Sequence, residues 1–476
     1  MVFGIISKGA NLYSIKYKNI KNLYSMGYKM LKREEIIELI SVDNFWGRPQ
    51  EIGIERDYYL KRLSKLAKAK DFSISIIGVR RSGKTFLTKQ FLKKAIDSGL
   101  GPEQTLYVNL EDPRFHPYLS LELLDEIYQA YRTFVNRDKF ALIVLDEIQN
   151  IEDWEKWVRR AMEKENVQII VTGSTSSLLK SEVSTALTGR SLTLEVFPLS
   201  FREFLKFKGI AVKNQLDIIK NRAKIERLLI EYLQFGGFPR VVLEEDEFLK
   251  REILKELFDG IVMRDVVFRH GFREVNSVKL VAELAINSFS SLKSISSLRN
   301  ELAGILKRKV SPNFVAEVIE ALRESYLLFT IPPFSPKIKD VKKYPKKIYA
   351  VDTGLATSVA LSFSKNLGRL AENAVAVNLI KKYGENNLFY YKGKREVDFI
   401  IKEGLKVTKA IQVTWDLRES HEREVEAILE AMDVFNLDKG LIITANEEGE
   451  ETHGNKKVKL IPLWKFLLDL EFAKEF

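Results

Sequence analysis

The sequence has no cysteine and only four histidines, His116, His270, His421 and His453. Without thiols there are no disulfides, zinc ribbons or thiol nucleophiles. No two histidines stand at a ligand spacing such as i, i+4, so a zinc site is not expected. No run of about 18 uncharged apolar residues occurs, which argues against a membrane-spanning helix. The apolar start, residues 1–6, is too short for a signal-peptide core. Internal repeats and low-complexity tracts are absent as well. These absences predict a cytoplasmic protein with no membrane partner.

What is present is an ordinary globular composition, 45% hydrophobic and 30% charged over 476 residues. That length exceeds a single core and predicts two to four domains. The formal charge is +11 and the pI about 9.2. A basic balance fits a nucleic-acid partner, and it equally fits a lysine-rich solvated surface. The sequence leaves the oligomeric state open.

Residues 1–29 carry five lysines, no acids and no helical or strand period. They are expected to be a disordered basic extension, with Met26 and Met30 as alternative translation starts. Residues 30–205 then alternate short apolar strands (73–77, 105–110, 141–145, 167–171) with helices (85–96, 121–135, 151–164). Continuous apolar strands between helices predict an α/β fold with a parallel sheet covered on both faces. Residues 206–260 read as a helical lid, broken only at Gly236-Gly-Phe-Pro239. Helices dominate again through 261–345, and strands return in 346–476, a second and smaller α/β domain.

The chemistry is concentrated in Gly78, Val79, Arg80, Arg81, Ser82, Gly83, Lys84 and Thr85, which fit GxxxxGK[ST] without a gap. The motif follows a buried strand and opens a helix, so backbone N–H groups and the helix dipole converge on a phosphate. Lys84 brings a charge to the β- and γ-phosphates, and Thr85 offers a hydroxyl to magnesium. The strand 142–145 ends in Asp146 and Glu147. Asp146 is placed to hold magnesium through water, and Glu147 to polarise the attacking water. Ser174, with Thr172 second, ends the fourth strand as a sensor of the γ-phosphate; capping of a following helix is the alternative for Ser174. No Asn-Lys-x-Asp guanine-reading motif occurs, which favours ATP over GTP.

Taken together, the phosphate loop, Leu145-Asp-Glu-Ile-Gln149 with Trp154, and Thr172-Gly-Ser-Thr-Ser-Ser177 resemble prokaryotic AAA+-type ATPases common in archaea. Thr188-Gly-Arg190, Phe197-Pro-Leu-Ser-Phe-Arg-Glu-Phe204, Gly236-Gly-Phe-Pro239, Lys347-Ile-Tyr-Ala-Val-Asp-Thr-Gly-Leu355 and Glu396-Val-Asp-Phe399 resemble later signatures of the same group. The resemblance runs from about residue 45 to 417 and implies ATP and magnesium as cofactors. It also implies that Arg190 completes a nucleotide site, in its own chain or a neighbour's. A plain surface arginine is the alternative.

Residues 297–306 and 311–326 read as two helices, the second with Val315, Val318, Ile319, Leu322 and Tyr326 on one stripe. The segments 326–331 and 347–351 pair as a hairpin, and the linker carries Lys337, Lys339, Lys342, Lys343 and Lys346. Helix, helix and basic hairpin form a winged-helix pattern, which suits sequence-independent contacts to DNA phosphates. The second helix exposes Asn313, Glu317, Glu320, Arg323 and Glu324, which argues against deep insertion into a groove. An internal scaffold is the alternative use.

The terminal segment resembles the PD-(D/E)XK nuclease fold, whose helical glutamate, strand aspartate and Glu-x-Lys bind metal and activate water. Glu372, Asp398 and Gln412 fall at the corresponding places as a candidate second metal site. Thr414 stands where the lysine should be, with Lys392 or Lys394 as substitutes. The expected function is an ATP-hydrolysing switch or motor at DNA. The alternatives are a metal-dependent nuclease gated by the ATPase and a nucleotide-switched scaffold without DNA contact.

Overall fold

The computed structural model describes residues 30–175, 189–335, 337, 344–359 and 367–468. The basic extension 1–29 and the linker lysines Lys339, Lys342 and Lys343 lie outside the described residues. The chain divides into two compact units, residues up to 51 with 92–170, and residues 52–91 with 171 onward. Among the described residues no helix is long and apolar enough to cross a membrane.

Five strands, β1 (Ser73–Ile77), β2 (Thr105–Asn109), β3 (Ala141–Asp146), β4 (Val167–Gly173) and β5 (Ser191–Glu195), form one sheet in the order β2-β3-β4-β1-β5. β2 pairs parallel with β3, and β1 with β5. β1, β3 and β4 are buried at every position, which is why they read as unbroken apolar runs. Among the described residues three helices connect them: α1 (Lys84–Asp97), α2 (Leu121–Phe134) and α3 (Trp154–Lys164). Ser120 caps α2 by accepting the N–H of Leu123. β5 was not expected from the sequence. It is half-buried and mixes serine, threonine and glutamate with two leucines, so it lacks the apolar run that marks its neighbours.

Within the first unit, Asn44 serves the edge of β2. Its Nδ2 donates to the Tyr107 carbonyl at 2.8 Å, and its Oδ1 accepts the Tyr107 N–H at 2.7 Å. A side-chain amide thus takes the place of a strand partner and blunts the edge.

The second unit continues with α4 (Gln215–Phe235) and α5 (Glu247–Ile261), which runs on into a π-helical segment, Val262–Phe268. Helices α6 (Val275–Asn287), α7 (Ile295–Leu306) and α8 (Pro312–Glu324) follow. They accompany a small antiparallel sheet of β6 (Ser291–Lys293), β7 (Leu328–Ile331) and β8 (Lys346–Ala350), ordered β6-β8-β7. The Ser311 hydroxyl caps α8, and Val315, Val318, Ile319, Leu322 and Tyr326 are all buried.

After α9 (Leu367–Tyr383) comes a six-stranded mixed sheet of β9 (Leu388–Lys392), β10 (Glu396–Glu403), β11 (Lys406–Val413), β12 (Lys439–Thr444), β13 (Gly449–His453) and β14 (Lys456–Pro462). Its order is β13-β14-β12-β11-β10-β9. Helix α10 (Leu417–Phe435) lays Val425, Ile428, Ala431 and Met432 on Val397, Ile400, Ala410 and Ile442 of that sheet.

Candidate nucleotide site and a buried lysine-carboxylate cluster

Residues 78–85 leave the end of β1 and turn directly into α1. The turn needs its glycines. Gly78 has φ +143°, and a Cβ there would lie 2.1 Å from the Val196 carbonyl oxygen; Gly83 has φ +95°. Arg81 holds a left-handed φ of 62° without that freedom. Lys84 is buried, and its ammonium donates to the carbonyls of Gly78 and Val79 at 3.0 and 3.1 Å. The Ser82 hydroxyl is fully buried and has no hydrogen-bond partner among the described residues. An orphaned donor, a buried ammonium and a glycine-shaped loop at a helix start fit a nucleoside triphosphate.

Arg56, which no sequence motif singles out, supports this loop from below. It is buried and donates to the Ser82 carbonyl at 2.8 Å and the Phe197 carbonyl at 3.0 Å. The same guanidinium grips Glu203 through two bonds of 2.8 and 2.9 Å. Burial works against the Glu203 charge, but Arg56, Lys381 and the Ser200 N–H overrule it and pull the carboxyl down to about 2.

Ser174 is buried at the end of β4, and its hydroxyl donates to Asp265 Oδ1 at 3.1 Å. Asp265 lies on the π-helical segment and is itself buried. It also receives Arg80 of the phosphate loop at 3.3 Å and Arg269 at 3.3 Å. Arg269 donates further to the Thr175 hydroxyl at 2.6 Å. One carboxylate thus collects a loop arginine, Ser174 and a second arginine. The sequence held a weak signal for it: Asp265 interrupts the apolar run Ile261, Val262, Val266, Val267.

Arg190 stands elsewhere. Its carbonyl accepts the Ser73 N–H at 2.9 Å, at the start of β1, whereas the phosphate loop follows Ile77. Five residues of strand at about 3.3 Å each separate the two by about 17 Å, beyond one arginine side chain. At that distance, the readings that suit Arg190 are a neighbouring copy's site and a plain surface arginine.

In the first unit, Asp146 is buried at the end of β3 and accepts the Tyr107 hydroxyl at 2.6 Å from β2. Burial first, and then the Asp146 charge, push the Tyr107 phenol well above its ordinary pKa, so it remains a donor. Glu147 adopts left-handed φ and ψ of 56° and 47° as the chain turns out of the strand. A non-glycine residue held there is strained by about 1–3 kcal/mol, which is tolerated where a side chain must be aimed. The Gln149 amide donates to the Glu147 carboxylate and fixes that aim.

Two later motifs meet in the second unit. Asp352 is buried and accepts the N–H groups of Gly237, Gly354 and Leu355 at 2.7, 2.9 and 3.3 Å. Burial lifts its carboxyl to about 6 against the pull of those three donors.

Glu372 of α9 and Asp398 of β10 come together, as the sequence led us to expect, but around a lysine. The Lys347 ammonium of β8 lies 2.7 Å from Asp398, 2.9 Å from Glu396 and 3.1 Å from Glu372. Gln412 is not turned toward these oxygens: its carbonyl accepts the Asp398 N–H, and its amide donates to Glu424. No group of three or more histidines and carboxylates among the described residues is placed to hold a metal. At the candidate metal site of Glu372, Asp398 and Gln412, an ammonium thus stands between the two carboxylates and the amide is bound elsewhere.

A phosphate loop between a buried parallel strand and its helix, with Asp-Glu at another strand's end, defines a P-loop ATPase of the AAA+ type. An AAA domain matches residues 70–205, and two domains of unknown function, DUF8612 and DUF4143, match 226–366 and 367–466. The chain is 36% identical over 449 residues to the uncharacterized protein MJ1544 of Methanocaldococcus jannaschii, covering 92% of this chain and 96% of that protein. It belongs to the same family. An uncharacterized protein of Haemophilus influenzae is 29% identical over 391 residues, 82% of this chain and 93% of its own. Among solved structures, the Walker-type ATPase PABY2304 of Pyrococcus abyssi is similar at 16% identity and TM-score 0.42, covering 64% of this chain and 95% of its own. The Aeropyrum pernix ORC1 protein, solved in complex with DNA, is similar at 15% identity and TM-score 0.30, covering 66% and 94%.

Proposed function

We propose that the protein is an ATP-hydrolysing switch in which phosphate contacts at residues 78–85 are passed to the helices beyond the lid. The observation that carries the reading is the buried Lys84 in a glycine-shaped loop whose Ser82 hydroxyl lacks a partner. Lys84 binds the β- and γ-phosphates, and Glu147, aimed by Gln149, takes the proton of the attacking water. Magnesium neutralises phosphate charge when bound, and Thr85 and Asp146 are the residues that would hold it. Ser174 reads the γ-phosphate.

Asp265 makes this site a switch. It competes with the γ-phosphate for Arg80, Ser174 and Arg269, so their partners differ between the nucleotide states. A conformational change requires such differential contacts. Arg269, which reaches Asp265 and Thr175, is the arginine of this chain read beside Ser174.

The module of α6, α7, α8 and the β6-β8-β7 sheet is read as a winged helix that meets DNA through exposed Lys307, Lys309 and Lys337. ATP turnover measured with and without duplex DNA, at several salt concentrations, tests this part. Stimulation that fades with salt is expected. Turnover indifferent to DNA at low salt would leave a scaffold that never contacts DNA.

A further inference from the structure

Lys347 is the most deeply buried lysine with several acidic partners in the second unit, with a side chain 3% exposed. An ammonium has three hydrogens, and here three carboxylates face it: Asp398 at 2.7 Å, Glu396 at 2.9 Å and Glu372 at 3.1 Å. Two of these carboxylates take a further donor from the protein. Tyr349 donates to Glu372 at 2.7 Å, and the Val413 N–H donates to the second oxygen of Asp398 at 2.9 Å. Gln412 is bound to the Asp398 backbone and to Glu424.

A divalent cation needs oxygen ligands at about 2.0–2.6 Å, and a catalytic one keeps water positions open. A point charge already stands between these oxygens, and the amide that would be the third ligand faces away. Placing a divalent ion beside a buried ammonium would add like-charge repulsion in a poorly screened interior. Expelling the ammonium instead would leave a buried lysine without its carboxylates. The nuclease-type metal that the fold resemblance implies does not fit.

We propose that Lys347 is the resident cation of this cluster, replacing a divalent metal and closing the nuclease-like site to metal-dependent cleavage. The cation is supplied by β8, in the small three-stranded sheet, to carboxylates on α9 and β10. It therefore acts as a clamp between that sheet and the terminal domain. One of the cluster's carboxylate charges is compensated by the chain itself, independent of metal supply.

The test is manganese binding to the full chain without nucleotide, read from the free Mn(II) paramagnetic resonance signal. Wild type, Lys347→Ala, Asp398→Asn and the double variant are compared. Wild type and Asp398→Asn should bind the same number of ions. Lys347→Ala should gain one ion, at least tenfold tighter than any ion wild type holds at this cluster, and the double variant should lose it. Glu372→Gln, which keeps Lys347 opposite Asp398, repeats the wild-type comparison if another variant does not fold. A manganese ion bound by wild type and lost in Asp398→Asn or Glu372→Gln overturns the proposal. So does a folded Lys347→Ala that gains no ion.

Discussion

Asp352 accepts three backbone N–H groups while buried, so it is a residue whose chemistry and shape are both fixed. Asparagine would present an amide to at least one of those donors and leave it unpaired. A Cβ on Gly236 would stand 1.8 Å from Asp352 Oδ1, at a φ of +74°. Asp352→Asn and Gly236→Ala are each expected to cost about 2–4 kcal/mol in urea unfolding. Values within about 0.5 kcal/mol of wild type would contradict the packing described. The two buried acids also act in opposite directions with pH. Glu203, held at about 2 against an ordinary 4.5, stabilises the fold above pH 4.5, and that contribution is lost as pH falls toward 2. Asp352, raised from 3.8 to about 6, disfavours the fold as pH rises through that range. Unfolding free energies at pH 3, 5 and 7 should show a smaller acid-side loss in Glu203→Gln than in wild type. An equal loss would mean that Glu203 is not held low.

At the level of elements, the parallel strands and the phosphate loop were legible because both are local. Apolar runs mark β1, β3 and β4, and the loop's residue types follow one another in the chain. β5 escaped because polar residues fill a strand that is only half-buried, and β6 because three residues carry no period. The Asp265 and Lys347 clusters escaped for a different reason. Ser174 and Asp265 are 91 positions apart, and Lys347 and Asp398 are 51 apart, so only the fold joins them. Arg190 was singled out by its neighbours in sequence, and the register of β5 sets its backbone beside the start of β1. The π-helical segment bearing Asp265 yields its own prediction. If Asp265 competes with the γ-phosphate, Asp265→Asn should bind ATP more tightly and turn it over faster without DNA. The expected gain is about tenfold, the equivalent of about 1.4 kcal/mol in one charged contact. Weaker ATP binding by a folded variant would show that Asp265 supports the site instead of competing for it.

For the whole molecule, the charge of +11 does not say which bases face a polyanion, because many are committed to acids within the fold. Arg308 pairs with Glu274, Lys293 with Glu301, Arg323 with Glu385, and Lys347 is buried. If Lys307, Lys309 and Lys337 are the main DNA contacts, about three phosphates are neutralised. The logarithm of the binding constant should then fall with log salt at a slope of about −3, and Lys307→Glu with Lys309→Glu should remove about two of that. A steep slope unchanged by the pair would place the DNA surface elsewhere. The central claim is turnover of ATP by this loop with Glu147 as base, and it is tested most directly by steady-state ATP hydrolysis and equilibrium ATP binding of wild type and Glu147→Gln. The account predicts that the variant binds ATP within about threefold of wild type and hydrolyses it at least 100-fold more slowly, the span ascribed to a general base. Equal turnover in the two proteins would contradict it.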